Sequence, residues 1–181
     1  MTISDVRAPA ITVDDLEVAQ FIYLLIYNQN IRRAIDTITS KVVLILGRFT
    51  DERKSMLDAI REKLRSHDYI PVMFDFAGPL SRDLEETVST LAHLARFIVA
   101  DLTEARSIAQ ELSAIVPRLK VPVQPVILTS ETEYGLFESF RLYPWVLQTF
   151  QYVNRDDLLA NLEERVIFPA ERKVREIREE G

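Results

Sequence analysis

Five short apolar runs, each followed by a stretch with helical spacing or a turn, constrain this chain more than any other feature of it. They are residues 41–47 (KVVLILG), 69–76, 97–101 (FIVAD), 122–129 and 146–153. The first and third are apolar without alternation, as a strand buried on both faces reads. Between the first two runs, residues 51–66 put Met56, Leu57, Ile60 and Leu64 on one helical face. Further helices are expected over about 82–95, after the Gly78-Pro79 break, and over 107–116 and 133–140. A last helix starts at Asn154 and is kinked or restarted at Pro169. Pro122 and Pro125 suggest an irregular or edge start to the fourth strand.

Strands alternating with helices make a parallel sheet covered on both faces. The expected fold class is therefore α/β: a flavodoxin-like three-layer sandwich over residues 41–181, its five-stranded parallel sheet in the order 2-1-3-4-5. Residues 1–40 form an N-terminal lead and helical segment, of which 1–12 look flexible. Thr12, with Asp15 three residues later, offers the cap of a helix over 13–28. Its stretch Phe21–Tyr27 (FIYLLIY) is apolar nearly all round and must bury two sides. Docking on its own domain and self-association both satisfy that demand. A short helix over Ile31–Ile38 follows.

Among 181 residues, 22 Lys and Arg stand against 28 Asp and Glu, a formal net charge of −6 without a basic stripe. A nucleic-acid backbone is thereby disfavoured as the main partner. No apolar run approaches the ~20 residues of a membrane span. The start MTISDVRAPA lacks the basic and apolar parts of a signal peptide, so the expectation is a cytoplasmic protein without membrane contact. Cysteine is absent, which removes thiolate nucleophiles and thiolate zinc sites. His67 and His93 are too far apart to suggest one metal centre, and no metal is expected. No two of the four glycines are closer than 31 residues, which excludes the GxGxxG fingerprint and the phosphate loop.

Sheets of this order bind ligands beyond the carboxyl ends of the strands, where the first and third meet. Gly47, Arg48 and Phe49 follow the first strand. The glycine allows close backbone approach, the arginine offers a fork for phosphate, and the phenylalanine offers a ring to stack on. An ordinary loop with Thr50 or Asp51 as helix cap is the plainer reading. Asp101 ends the third strand, where its carboxylate must be solvated or hydrogen-bonded. Ser107 and Gln110 have capping-box spacing and put Glu111 in the first turns of a helix near the same edge. Two carboxylates and Arg48 at one crevice suit a ribose and a phosphate; a capped helix with a solvated Glu111 is the plainer alternative. A phospho-acceptor receiver domain using Asp101 is rejected, because Gly47-Arg48-Phe49 stands where an acidic pair would hold magnesium. Serine hydrolase chemistry lacks its G-x-S-x-G motif.

From Lys41 to about Val153 the chain resembles a bacterial TIR-like domain, a group related in fold to nucleoside 2-deoxyribosyltransferases. The likeness rests on the order of several segments: Gly47-Arg48-Phe49, Asp75 followed by Phe76-Ala-Gly78-Pro79-Leu-Ser-Arg82-Asp83 in the place of the BB loop, Ala95 to Thr103, and Ser107-Ile-Ala-Gln-Glu111-Leu112. The resemblance implies that Glu111 serves cleavage of NAD and that Asp101 assists. Gly47, Arg48, Phe49, Asp75, Phe76 and Ser107 are then the nucleotide-binding residues. Ser113-Ala114 stands where many related enzymes have glycine, and the tryptophan-cysteine pair that often precedes the glutamate is replaced by Ala109-Gln110. Stacking then falls to Phe49 or Phe76.

Two functions follow from the resemblance. One is a glycosidase that cleaves NAD or a related nucleotide at its N-glycosidic bond, without metal or further cofactor, in bacterial defence signalling. The other is a non-catalytic nucleotide-binding or self-associating scaffold. Both imply a nucleotide as small-molecule partner and a homo-oligomer built through TIR-like contacts or helix 13–28.

Overall fold

The structure, a computed structural model, describes residues 2–3, 11–12, 15–75, 82–103, 112, 116–131 and 139–179. The chain divides into two units, Met1–Ile38 and Thr39–Gly181. In the first, β1 (Thr2–Ile3) pairs antiparallel with β2 (Ile11–Thr12), so the stretch expected to be a flexible lead carries a short ladder. Thr12 is therefore a strand residue, outside the helix it was expected to cap. The cap of α1 (Leu16–Tyr27) is Asp15, whose Oδ1 accepts from the Val18 N–H at 3.0 Å. A carboxylate satisfies a free N–H there and also meets the positive end of the helix dipole. Asn28 separates α1 from α2 (Gln29–Lys41), and its Oδ1 accepts from Asn30 and Ile31, which starts the second helix earlier than expected.

In the second unit, β3 (Val42–Gly47) is buried along its whole length, as its unbroken apolar run requires. It pairs in parallel with β4 (Ile70–Asp75) on one side and β5 (Phe97–Asp101) on the other. β6 (Val123–Leu128) and β7 (Phe150–Tyr152) complete a parallel sheet in the order β4-β3-β5-β6-β7. Counted from β3, that is 2-1-3-4-5, the flavodoxin-like order. Alternate residues of β3 feed two cores. Val42, Leu44 and Leu46 meet Val88 and Ala92 of α4 (Arg82–Leu94), with Leu112, Val116 and Leu119. Val43 and Ile45 meet Met56, Leu57, Ile60 and Leu64 of α3 (Asp51–Ser66) and Leu158 and Leu162 of α5 (Arg155–Leu162). Three layers result. Residues 76–81 of the segment in the place of the BB loop, most of the expected helix 107–116 and most of 133–140 lie outside the described residues; Val116–Arg118 and Ser139–Leu142 are short 3₁₀ turns.

β6 is an interior strand, so of the two readings of its prolines the edge falls and the irregular start holds. Val123 exchanges backbone bonds with Trp145 and Leu147, whereas Pro122 and Val126 accept from Ile98 and Leu102 on the β5 side, so residue 125 turns towards β7. The ladder slips there: Val123 bridges Val146, yet Val126 already faces Phe150. The missing N–H of Pro125 falls in that gap. The Gln124 side-chain amide fills it, donating to the Gln148 carbonyl at 2.8 Å. This slip also shortens β7 from the expected 146–153 to Phe150–Tyr152.

The tail is a continuous helix with a π-turn at Glu163–Ile167 between α5 and α6 (Phe168–Glu179). The Phe168 N–H donates to the Glu163 carbonyl, five residues back. The wider turn accommodates Pro169, which has no N–H and whose ring would press on an ordinary helical turn. On α6, Glu171 receives Arg96 through Nε and Nη2, at 3.0 and 2.6 Å, and the Tyr69 hydroxyl at 2.9 Å. Burial alone would push the Glu171 carboxyl up. The hydrogen bonds and the charges of Arg96 and Arg175 overcome that and hold it below the usual glutamate range. No helix of the described residues is long and apolar enough to cross a membrane.

Because the folded-state value is lowered, the stabilisation from Glu171 is complete above the unfolded glutamate value of about 4.3 and is lost as pH falls through the folded one. Glu171→Gln should cost about 1–3 kcal/mol at pH 7 by urea denaturation. The gap between variant and wild type should close in the acid range below about pH 4.

Candidate functional site at the carboxyl edge of the sheet

β3 and β5 are neighbours, but the chain leaves them for opposite faces. α3 packs on the core fed by Val43 and Ile45, and Leu112 beyond β5 packs on the other. In sheets of this order, strands that part in this way are where ligands generally bind, beyond the carboxyl ends. Gly47 closes β3 and Asp101 closes β5.

Asp101 is only 1% exposed. Its partner is Arg53, which sits on the buried face of α3 in step with Met56, Leu57 and Ile60. Arg53 donates to Asp101 Oδ2 from Nε at 3.1 Å and again from Nη2. The same Nη2 reaches the Tyr152 hydroxyl, which also meets Thr103 Oγ1 at 3.3 Å. The Thr103 N–H donates to Asp101 Oδ1 at 3.1 Å, and its hydroxyl accepts from the Leu128 N–H. Burial disfavours the charged guanidinium of Arg53, but Asp101 outweighs that and raises it above its ordinary value. Burial, with the negative charge of Asp101, pushes the Tyr152 hydroxyl up, so it stays protonated. The network joins α3, β5 and β7 and answers both carboxylate oxygens.

Other expected site residues are also held by the scaffold. A Cβ on Gly47 would lie 3.2 and 3.3 Å from the Leu57 methyl carbons and 3.6 Å from the Asp101 Cβ. The glycine thus serves the close approach of α3 and β5, which is a different use from ligand contact. Phe49 is half-buried and packs on the second core. Its N–H donates to Asp75 Oδ1 at 3.0 Å, so Asp75 clips the loop after β3 to the end of β4. Thr50 caps α3 by accepting from the Arg53 N–H. Arg48 lies half-buried in the same loop and is itself engaged in contacts. Phe76, Ser107 and Glu111 lie outside the described residues.

His67 ends α3, 4.0 Å from Glu163, and the His93 Nδ1 lies 2.6 Å from the Ser89 carbonyl. No metal-ligating cluster occurs among the described residues. Arg53 and Tyr152 are the residues that reading the sequence missed. The signal for Arg53 was an arginine at a core position of an amphipathic helix; for Tyr152 it was the place two residues beyond Phe150 on an inward strand face.

No protein-family model matches the chain, and no curated protein matches it. Among solved structures it is similar to the crystal structure of a diflavin flavoprotein A3 from Nostoc sp., with a TM-score of 0.51 and 16% identity over 78% of this chain and 97% of that one. A constitutive lysine decarboxylase from E. coli matches with a TM-score of 0.48 and 12% identity, over 77% of this chain and only 18% of the enzyme. The flavoprotein supports the flavodoxin-like fold alone at this identity, and neither protein is a TIR-like domain.

Removing Arg53 would leave a buried, unpaired Asp101 charge. Arg53→Ala should therefore cost about 3–5 kcal/mol in denaturant titration. Arg53→Met with Asp101→Asn should recover part of that loss, since no charge then remains buried. Gly47→Ala should cost about 1–2 kcal/mol in the same measurement, because the fully buried Leu57 has little room to give.

Proposed function

We propose that this chain is a TIR-like domain that binds NAD or a related nucleotide at the carboxyl edge of the sheet and cleaves its N-glycosidic bond, in bacterial defence signalling. The observation that supports this reading is that the chain beyond β3 and the chain beyond β5 pack on opposite faces of the sheet, the arrangement at which such sheets generally bind ligands. Arg48 would hold the pyrophosphate. Phe76 would stack on a ring, since Phe49 is committed to the core. Ser107 and Glu111 would face the ribose.

In the proposed reaction the bond from ribose C1′ to the nicotinamide nitrogen breaks. The electron pair leaves with nicotinamide and neutralises its pyridinium charge. The Glu111 carboxylate stabilises the oxocarbenium-like transition state. A water oxygen then bonds to C1′ and loses a proton. Asp101 contributes as a positioning group: it fixes Arg53 and, with Thr103 and Tyr152, the edge on which the reactants sit.

A second reading, a nucleotide-binding or self-associating scaffold without chemistry, is favoured by the engagement of Asp101. Leu16, Val18, Phe21, Tyr23, Leu24 and Tyr27 on α1 are exposed and would supply a self-association face. Concentrated protein incubated with NAD should release nicotinamide, and Glu111→Ala should abolish release while leaving the unfolding midpoint unchanged. Absence of release, with NAD still bound in calorimetry, would select the scaffold.

A further inference from the structure

A cavity of about 640 Å³ opens at the amino edge of the sheet, opposite the carboxyl ends of β3 and β5. Pockets of ~300–1,000 Å³ are the usual size for small ligands. One wall is Gln124 of β6 with residues 147–150, and the other is the tail helix, which contributes Arg165, Phe168, Arg172 and Arg175. Phe168, Arg172 and Arg175 follow at spacings of four and three, the separation that puts helical residues on one face. Arg165 precedes them within the π-turn, a rare element that recurs at functional sites.

Charge compensation is thin in this cavity. Three arginines line it against one carboxylate, Glu164. Among the described residues Arg165 has no ion pair; its guanidinium lies 5.4 Å over the Phe150 ring. Arg172 reaches Glu176 at 4.0 Å, with its own side chain 71% exposed. Arg175 feels Glu171, but that carboxylate is already gripped by Arg96. In a chain of net charge −6, gathering three guanidiniums round one concavity favours an anion there. Planar guanidinium forks match phosphate oxygens. Phe168 lines the same cavity and is 57% exposed, leaving its ring open to a flat partner. An adjoining cavity of about 490 Å³ shares Arg165 and extends the basic surface to Arg141.

We propose that this amino-edge cavity binds a small phosphorylated ligand carrying a flat ring, with Arg165, Arg172 and Arg175 on the phosphates and Phe168 on the ring. The site is separate from the proposed nucleotide crevice and does not depend on it. Calorimetric titration of the full chain with pyrophosphate and with ADP tests the proposal. Both probes should saturate, and ADP should bind more tightly. Arg165→Ala and Arg172→Ala should each weaken both probes about tenfold. Phe168→Ala should remove the advantage of ADP while leaving pyrophosphate unchanged. These side chains are exposed, so the unfolding midpoints should stay at the wild-type value. No saturable binding of either probe would overturn the site, as would binding unchanged in the Arg165→Ala/Arg172→Ala double variant. Equal affinities for the two probes would overturn the role of Phe168.

Discussion

The buried ion pair between Arg53 and Asp101 governs what the carboxyl edge of this protein can be. Two charges taken out of water are tolerated only when their remaining donors and acceptors are also satisfied. Here the second carboxylate oxygen goes to the Thr103 N–H, and the guanidinium shares a nitrogen with the Tyr152 hydroxyl. Tyr152 can do this because β7 turns it onto the same face of the sheet that α3 covers. One pair thus fixes the first turn of α3 against β5 and β7. The loop after β3 is held between that turn and Asp75. Rigidity at this edge is a property of charge satisfaction as much as of apolar packing.

The amino edge uses the same device at lower cost. Glu171 is answered by Arg96 and Tyr69, which stand at the starts of β5 and β4, so the tail helix is tied to the sheet where the strands begin. That tie needs α6 to arrive in the right phase. The π-turn absorbs the disturbance of Pro169 without breaking the helix. Consequently Ala170 and Val174 keep their buried positions while the arginines of the tail face outward. The two edges differ in electrostatics: one neutralises its charges internally, and the other carries arginines in excess.

The sheet and its order were legible because β3 and β5 are apolar on both faces and α3 carries a clean stripe. Such periodicity follows from burial, and burial follows from the layers. Two corrections have local causes. Thr12 and Asp15 both have cap chemistry, and only the ladder between β1 and β2 decides that Asp15 is the cap. Pro125 reads as an edge signal because the compensating amide of Gln124 is visible only in three dimensions. Gly47, Phe49, Asp75 and Asp101 read as ligand-facing from residue type alone, and the fold adds a scaffold role to each. Each has a scaffold partner in the fold: Leu57, the second core, the Phe49 N–H and Arg53. A charge at the end of a strand announces that it needs a partner, without saying whether the partner is a ligand or another part of the chain.

A fold of this kind hosts many chemistries, so the sheet alone does not choose among them. What bears on the proposed glycosidase is how many carboxylates the reaction needs. Nicotinamide departs from NAD as a neutral molecule, because the breaking bond returns an electron pair to a pyridinium nitrogen. No general acid has to protonate it, unlike the alkoxide leaving groups of ordinary glycosides that require paired carboxylates. One negative group beside the ribose can stabilise the charge that develops at C1′. The withdrawal of Asp101 into the Arg53 pair is therefore compatible with cleavage on Glu111 alone.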